Sequence, residues 1–405
     1  MKPNLSSPFK PKSIKDYRPQ DLKIYTLRAG FKKKNKDLLV IVFDKVIPVA
    51  IAYSQTSMPS APIIWDKKNN NNFCKALIVN SGNANAHTGT RGINQIEKYT
   101  KVASKIFQCK KSEILVSSTG VIGEELDSTK IIKKLNCISK TSLTSINSAA
   151  KAIMTTDTFP KIEVVRFRYK LNQITIYGFA KGSGMIAPNM GTMLAYIFIE
   201  APLKRTELKR MLKKYIDSTF NSISVDGDTS TSDTIILFST GLKKPKIKMS
   251  NTLLKKISKN VHDIMLNLSK QIVSDGEGIS KLIEVTVSNA KNKIQASKVA
   301  FSIAESNLVK TAIAGEDANW GRIVMAIGKA DKHIDQNKVI IKFDNLVVAK
   351  KGAMYKKIDL TKLNRYMKNK VIKIKVNLGI DKYTKKVWSS DLTHEYININ
   401  SDYRS

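Results

Sequence analysis

The sequence is poor in cysteine, histidine and arginine, and it contains no long apolar run. Its three cysteines, Cys74, Cys109 and Cys137, are widely spaced and odd in number, so they offer neither a disulfide framework nor a thiolate zinc pattern. They read as reduced, mostly buried thiols. The four histidines, His87, His262, His333 and His394, are scattered without HExxH or His-x-His spacing, and no metal site is expected from them. The longest apolar runs, "LLVIVF" from Leu38 and "MLAYIFI" from Met193, are far too short to span a bilayer. The opening "MKPNLSSPFKPKSIKDYRPQ" has no continuous hydrophobic region of the signal-peptide kind. These absences lead us to expect a soluble, cytoplasmic protein with no membrane partner.

Acidic residues are scarce as well: 33 stand against 69 basic ones, a formal net charge of +36. Such an excess raises nucleic acid as a partner, because clustered cations release counterions from phosphates. The distribution argues against it. Ten of the basic residues are arginine, the usual bidentate reader of phosphate and guanine, and the rest are lysines spread along nearly the whole chain. Runs such as "FKKKNK" and "KKPKIK" lack interleaved stacking aromatics. A solvated lysine surface is the better reading, and its long-range field still favours acidic substrates.

What is present is enough for a globular protein with a real core. The chain has 405 residues and 42% apolar content, which predicts two or three cooperating modules. Short strand-like runs come early, at 38–43, 46–53 and 75–80. Helical periodicity follows at 93–108, again near 127–140 with Asp127 or Ser128 as N-cap, and over "INSAAKAIMTTD". A hairpin is expected through 161–181 with its turn near Lys170 to Asn172. Further helices are predicted at 205–223 and 251–278, and strands in "LIEVTVSNA", "KVIIKFDNLVV" and "VIKIKVNLGI". The mixture defines an α/β protein with layered sheets and helices.

Several glycine-bearing segments resemble known devices and fail their spacing. "KGSG" at 181–184 fits neither GxxxxGK[ST] nor GxGxxG. "VDGDTSTSD" imitates a calcium loop, yet counting Asp226 as the first ligand puts Thr231 where glycine is required and Leu237 where glutamate is required. "SSTGVIG" from Ser117 and "SGNANAHTG" from Ser81 each read equally well as plain turns.

Taken together and in order, however, "VNSGNANAHTG", "SSTGVIGE", "AIMTTDTFPK", "AKGSGMIAPNMGTMLAYI", "ISVDGDTSTSDT", "SDGEGISKLIEV", "GEDANWGRIVMAIG" and "WSSDLTHEYININSDYRS" closely resemble the glutamate N-acetyltransferase / ornithine acetyltransferase family of arginine biosynthesis. The resemblance implies self-cleavage at Gly191–Thr192, after which Thr192 is the N-terminal nucleophile of the second fragment. Gly191 replaces the family's usual alanine and, lacking Cβ, leaves its carbonyl open to attack. The freed α-amine has a reference pKa of roughly 7.7–8.0, so near neutral pH its neutral fraction takes the proton of the Thr192 hydroxyl. The resemblance further places Thr119 and Gly120 as the oxyanion pair. It makes Thr155, Lys181, Glu277, Asn400 and Ser405 the substrate-binding residues, with Thr156 an equal candidate beside Thr155. Ser405 stands where the family often ends in threonine. Lys181 suits a carboxylate and Glu277 an ammonium.

The fold so implied is a layered α-β-β-α core over residues 1–280 with a smaller C-terminal α/β domain over 281–405, whose tail returns to the active site. The implied reaction moves acetyl from N2-acetylornithine to glutamate through an acetyl-Thr192 ester. No cofactor is expected; acetyl-CoA stays open as a second donor. The implied assembly has two copies of each cleaved chain, a heterotetramer. The alternatives are an N-terminal-nucleophile amidase or aminopeptidase and a basic nucleic-acid-binding protein.

Overall fold

Runs of Ile, Val and Leu set the first strands, β1 (Leu22–Leu27) and β2 (Leu38–Tyr53), in a computed structural model that describes residues 6–187, 193–241 and 247–401. They are followed by α1 (Ala61–Asn69), β3 (Phe73–Asn83), α2 (Gly89–Ile106), β4 (Ile114–Val121), α3 (Ser128–Asn136) and α4 (Ile146–Ile153). A hairpin of β5 (Lys161–Tyr169) and β6 (Asn172–Lys181) leads to β7 (Leu194–Ile199), α5 (Arg205–Tyr215), β8 (Ile223–Ser224), β9 (Thr234–Ser239) and α6 (Asn251–Val273). The remainder comprises β10 (Leu282–Ala290), α7 (Lys293–Ala304), α8 (Asn307–Ala314), α9 (Trp320–Ala330), β11 (Ile340–Phe343), β12 (Leu346–Lys350), β13 (Ala353–Met354), α10 (Leu360–Met367), β14 (Val371–Asn377), β15 (Tyr383–Ser390) and α11 (His394–Ser401).

The first sheet runs β4-β3-β2-β9-β7-β6-β5, with β1 also on β2. Strand β2 belongs to both of its halves: residues 38–48 pair with β3 and residues 49–53 with β9. The halves fold face to face. Leu39, Ile41 and Phe43 of β2 and Leu77 and Val79 of β3 meet Tyr177, Phe179, Tyr196, Phe198, Ile236 and Phe238 from the other half. Helices α1, α2 and α3 cover one outer face, and α5 and α6 cover the other. The layers therefore run helix–sheet–sheet–helix, as expected from the resemblance. The second sheet, β13-β12-β11-β14-β10-β15-β8, carries its own core with α7, α9 and α10 and takes β8 from before residue 281.

Several local expectations differ from the structure: the helix expected at 205–223 ends at Tyr215 and Ile223 begins β8, and of the three thiols only Cys74 is buried. The strands expected at 38–43 and 46–53 are one strand, because the break in the apolar pattern at Asp44–Val46 is an exposed irregularity between Val42 and Ile47 in the ladder with β3. "KVIIKFDNLVV" is not one strand but the hairpin β11–β12, and Asp344 turns it at a φ of +50°. The hairpin at 161–181 and the Asp127 cap, whose side chain accepts from the Thr129 N–H, form as expected. Among the described residues no helix is long and apolar enough to cross a membrane.

Phe198 lies at the centre of the inner layer, stacked on Tyr177 at 5.0 Å and on Phe238 at 4.7 Å. Phe198→Ala leaves a void between two half-sheets that share a strand, so neither collapses onto it freely. We expect a loss of roughly 3–5 kcal/mol of unfolding free energy, measured by urea denaturation.

Candidate active site

The site forms where strand ends from both halves of the first sheet converge. In the parallel pair β3–β4, Gly82 stands opposite Gly120. Gly120 has a φ of +131°, and a Cβ on it would lie 2.3 Å from the Gly82 carbonyl carbon, so the two backbones reach this distance only with glycine at 120. Thr119, just before, is buried, and its Oγ1 accepts a hydrogen bond from Lys181 Nζ at 3.2 Å. Lys181 ends β6 and is itself only 3% exposed. Burial pushes its ammonium down from the ordinary lysine range; the Asp157 carboxylate opposes that shift and the Lys161 cation adds to it.

Beneath Lys181 lies a wholly buried ion triad. Lys161 Nζ donates to Asp157 Oδ1 and to Asp275 Oδ2, both at 2.5 Å. Burial alone would raise the Asp157 carboxyl, but Lys161, Lys181 and the Gly182 N–H hold it well below the usual carboxylate range. At Asp275 burial wins and the carboxyl is raised. The triad fixes three pieces of the site together. Asp157 takes the Gly182 N–H at 2.7 Å and the Thr155 N–H at 2.9 Å, and Asp275 takes the Thr158 N–H at 2.8 Å.

Glu277 follows in the same turn as Asp275. Its N–H donates to the Ser183 carbonyl at 2.9 Å, and its Oε2 accepts from Asn400 Nδ2 of α11 at 2.9 Å. Gly184 allows this approach, since a Cβ there would sit 2.4 Å from Glu277 Oε2.

Thr119, Gly120, Thr155, Thr156, Lys181, Glu277 and Asn400 all line one cavity of about 130 Å³. Of the residues selected from the sequence, these are brought together. Thr155 and Thr156 both face it, and Thr156 Oγ1 is 2.7 Å from Ser183 Oγ. Gly191, Thr192 and Ser405 lie outside the described residues. A larger cavity of about 700 Å³ adjoins, sharing Thr155, Thr156 and Glu277.

Reasoning from the sequence missed the Lys161 triad and the role of "VDGDTSTSD". That segment is neither a calcium loop nor a simple turn. Asp226 accepts the N–H groups of Met185 at 2.6 Å and Ile186 at 2.9 Å, and Asp233 accepts that of Met193 at 2.6 Å. Two aspartates of one stretch thus hold the chain on either side of residues 187–192, and Ser230, Thr231 and Ser232 between them line the cavity. Burial raises both carboxyls. The spacing of two acids around a serine- and threonine-rich centre was the available signal.

The fold and site define an enzyme: a layered α/β core with one deeply set, charged cavity for a small molecule. The model of the ArgJ family matches residues 23–405. Proteins called arginine biosynthesis bifunctional protein ArgJ are similar along nearly the full length. That of Bradyrhizobium diazoefficiens is 45% identical over 98% of this chain and 99% of its own, and that of Nitrobacter winogradskyi is 44% identical over the same shares. The Brucella suis protein is 42% identical over 95% of each. The chain belongs to the ArgJ family.

The triad makes a sharp expectation. Lys161→Met leaves two buried carboxyls without their cation, and we expect a loss of roughly 3–5 kcal/mol of stability, read by urea denaturation at neutral pH.

Proposed function

We propose that the protein transfers the acetyl group of N2-acetylornithine to glutamate in arginine biosynthesis, with Thr192 as the acyl carrier. The observation that carries this reading is the convergence of Thr119, Gly120, Lys181, Glu277 and Asn400 on one cavity, at the ends of β4 and β6 beside the start of β7. Lys181 supplies a cation for the substrate carboxylate and Glu277 an anion for its ammonium. Because the Thr119 hydroxyl accepts from Lys181, its own proton is free to donate, and a neighbouring cation strengthens that donation. A tetrahedral oxyanion formed at the acetyl carbonyl is the group this donor suits, together with Gly120.

Self-cleavage before Thr192 precedes catalysis. The hydroxyl attacks the Gly191 carbonyl, the acyl group shifts from nitrogen to oxygen and so frees the α-amine, and water hydrolyses the ester to release the Gly191 carboxylate and restore the Thr192 hydroxyl. In the first half-reaction that amine takes the hydroxyl proton as the oxygen attacks acetylornithine, and ornithine leaves. Glutamate then attacks the acetyl-Thr192 ester and departs as N-acetylglutamate. No cofactor enters these steps, and acetyl-CoA is an alternative donor for the first. We place the enzyme in the cytoplasm as a heterotetramer with two copies of each cleaved chain.

The purified protein is expected to run as fragments 1–191 and 192–405, and Thr192→Ala to stay uncut and inactive. Kinetics with both substrates should give parallel double-reciprocal lines, and enzyme quenched after acetylornithine alone should carry acetyl on the peptide beginning at Thr192. Intersecting lines with no trapped ester refute the covalent route, while acetylornithine cleavage indifferent to glutamate indicates a hydrolase. Thr119→Ala should lower kcat roughly 10²–10³-fold.

A further inference from the structure

Two apolar side chains face the small cavity and have no part yet in the proposed reaction. Ala84 is 2% exposed and Ile122 is partly buried, and both line the cavity beside Thr119 and Gly120. They stand where β3 and β4 run on past the paired Gly82 and Gly120. The Ala84 N–H donates to the Val121 carbonyl at 2.9 Å, and the Gly123 N–H donates to the Ala86 carbonyl at 3.0 Å. Among the described residues neither side chain joins the hydrophobic cores around the two sheets. Apolar surface kept out of the core and turned toward a charged cavity suits an apolar group of the ligand.

The remainder of "VNSGNANAHTG" stiffens this wall. Asn80 Nδ2 donates to the Asn83 carbonyl at 2.8 Å, Asn83 Nδ2 donates to the Glu124 carbonyl at 3.1 Å, and Asn83 Oδ1 accepts the Asn85 N–H at 2.7 Å. Side-chain amides thus tie the segment bearing Ala84 to the one that follows Ile122.

The charges decide which end of the substrate meets the wall. In the reaction proposed above, on which this inference rests, Lys181 and Glu277 hold the charged groups of the amino acid and Thr119 and Gly120 hold the acyl oxygen. A trigonal acyl carbon points its oxygen, its nitrogen and its methyl three different ways. With the oxygen at Gly120 and the nitrogen toward the charged pair, the methyl falls to the apolar lining two residues past Gly120. Met185, the other large apolar side chain of the cavity, follows Gly184 on the Glu277 side. The adjoining cavity of about 700 Å³ shares Thr155, Thr156 and Glu277 but neither Ala84 nor Ile122. The space therefore opens at the amino-acid end and closes at the acyl end.

We infer that Ala84 and Ile122 form the pocket for the acetyl methyl, and that Ile122 is the specificity-determining residue that confines the enzyme to acetyl donors. Its branched side chain takes the room that a second acyl carbon requires. One methylene against a hydrophobic wall is worth roughly 10–200-fold in kcat/KM.

The test compares N2-acetylornithine with N2-propionylornithine, following ornithine release in the presence of glutamate for wild type, Ile122→Val, Ile122→Ala and Met185→Ala. The quantity read is the ratio of kcat/KM for the propionyl donor to that for the acetyl donor, which cancels any loss of folded enzyme. In wild type it is expected below about one tenth, and in Ile122→Ala it should rise roughly 10-fold or more, with Ile122→Val between. A wild type that takes both donors equally, or a ratio unmoved by both Ile122 variants, overturns the assignment. A rise confined to Met185→Ala also overturns it and puts the methyl at the other wall. If Ile122→Ala is inactive with both donors, Ile122→Val decides. A wild type that releases no ornithine from acetylornithine brings down the acetyl-transfer reading and this inference with it, whereas normal acetyl transfer with an unmoved ratio removes the methyl pocket alone.

Discussion

One buried cation holds the site in place. Lys161, with no exposed side-chain surface, sits between Asp157 and Asp275, which come from segments far apart in the chain. Desolvating three charges is expensive, and the arrangement is tolerable because each carboxyl also collects backbone N–H groups. Those secondary bonds matter for the site. Through Asp157 the cation governs the turn bearing Thr155 and the start of the loop after Lys181. Through Asp275 it governs the turn that presents Glu277.

The charge pattern above the triad follows from the same burial. Lys181 is close enough to Asp157 to be supported by it, yet dry enough for its ammonium to be depressed. A cation in that state gains more from an arriving carboxylate than one in water would, because the low-dielectric surroundings strengthen the attraction. The surface excess of lysine acts at longer range and favours the approach of acidic molecules, while in the proposed reaction recognition falls to Lys181 and Glu277.

Much of this was legible in the sequence because the family's wording is local: "SSTG", "AKGSG" and "DGEG" each put a cavity-lining side chain beside a glycine that permits a close approach. Gly120 against Gly82 and Gly184 against Glu277 are the physical reasons for those glycines. Long-range pairing was not legible. Nothing near Lys161 announces Asp275, and nothing in "VDGDTSTSD" says that its two acids grip the backbone at Met185 and at Met193. The continuity of β2 was hidden for a related reason, since three exposed residues interrupt its apolar pattern while the strand itself continues. The cleavage bond implied by the resemblance is a matter of local chain chemistry, whereas the scaffold around it depends on contacts that a motif does not carry.

The sharing of strands across residues 187–193 has a mechanical consequence. The chain before this stretch contributes β2 and β6 and the chain after it β9 and β7, and these interleave: β6 pairs with β7, β7 with β9, and β9 with β2. A break in the chain between residues 187 and 193 would therefore open no seam. To come apart, the pieces must unzip two ladders in the middle of a sheet, strip α6 from β5 and β6, and separate Lys161 from Asp275. A molecule severed there as proposed would behave as a splice whose grip lies in its weave, and the scission would free a chain end without freeing a subunit.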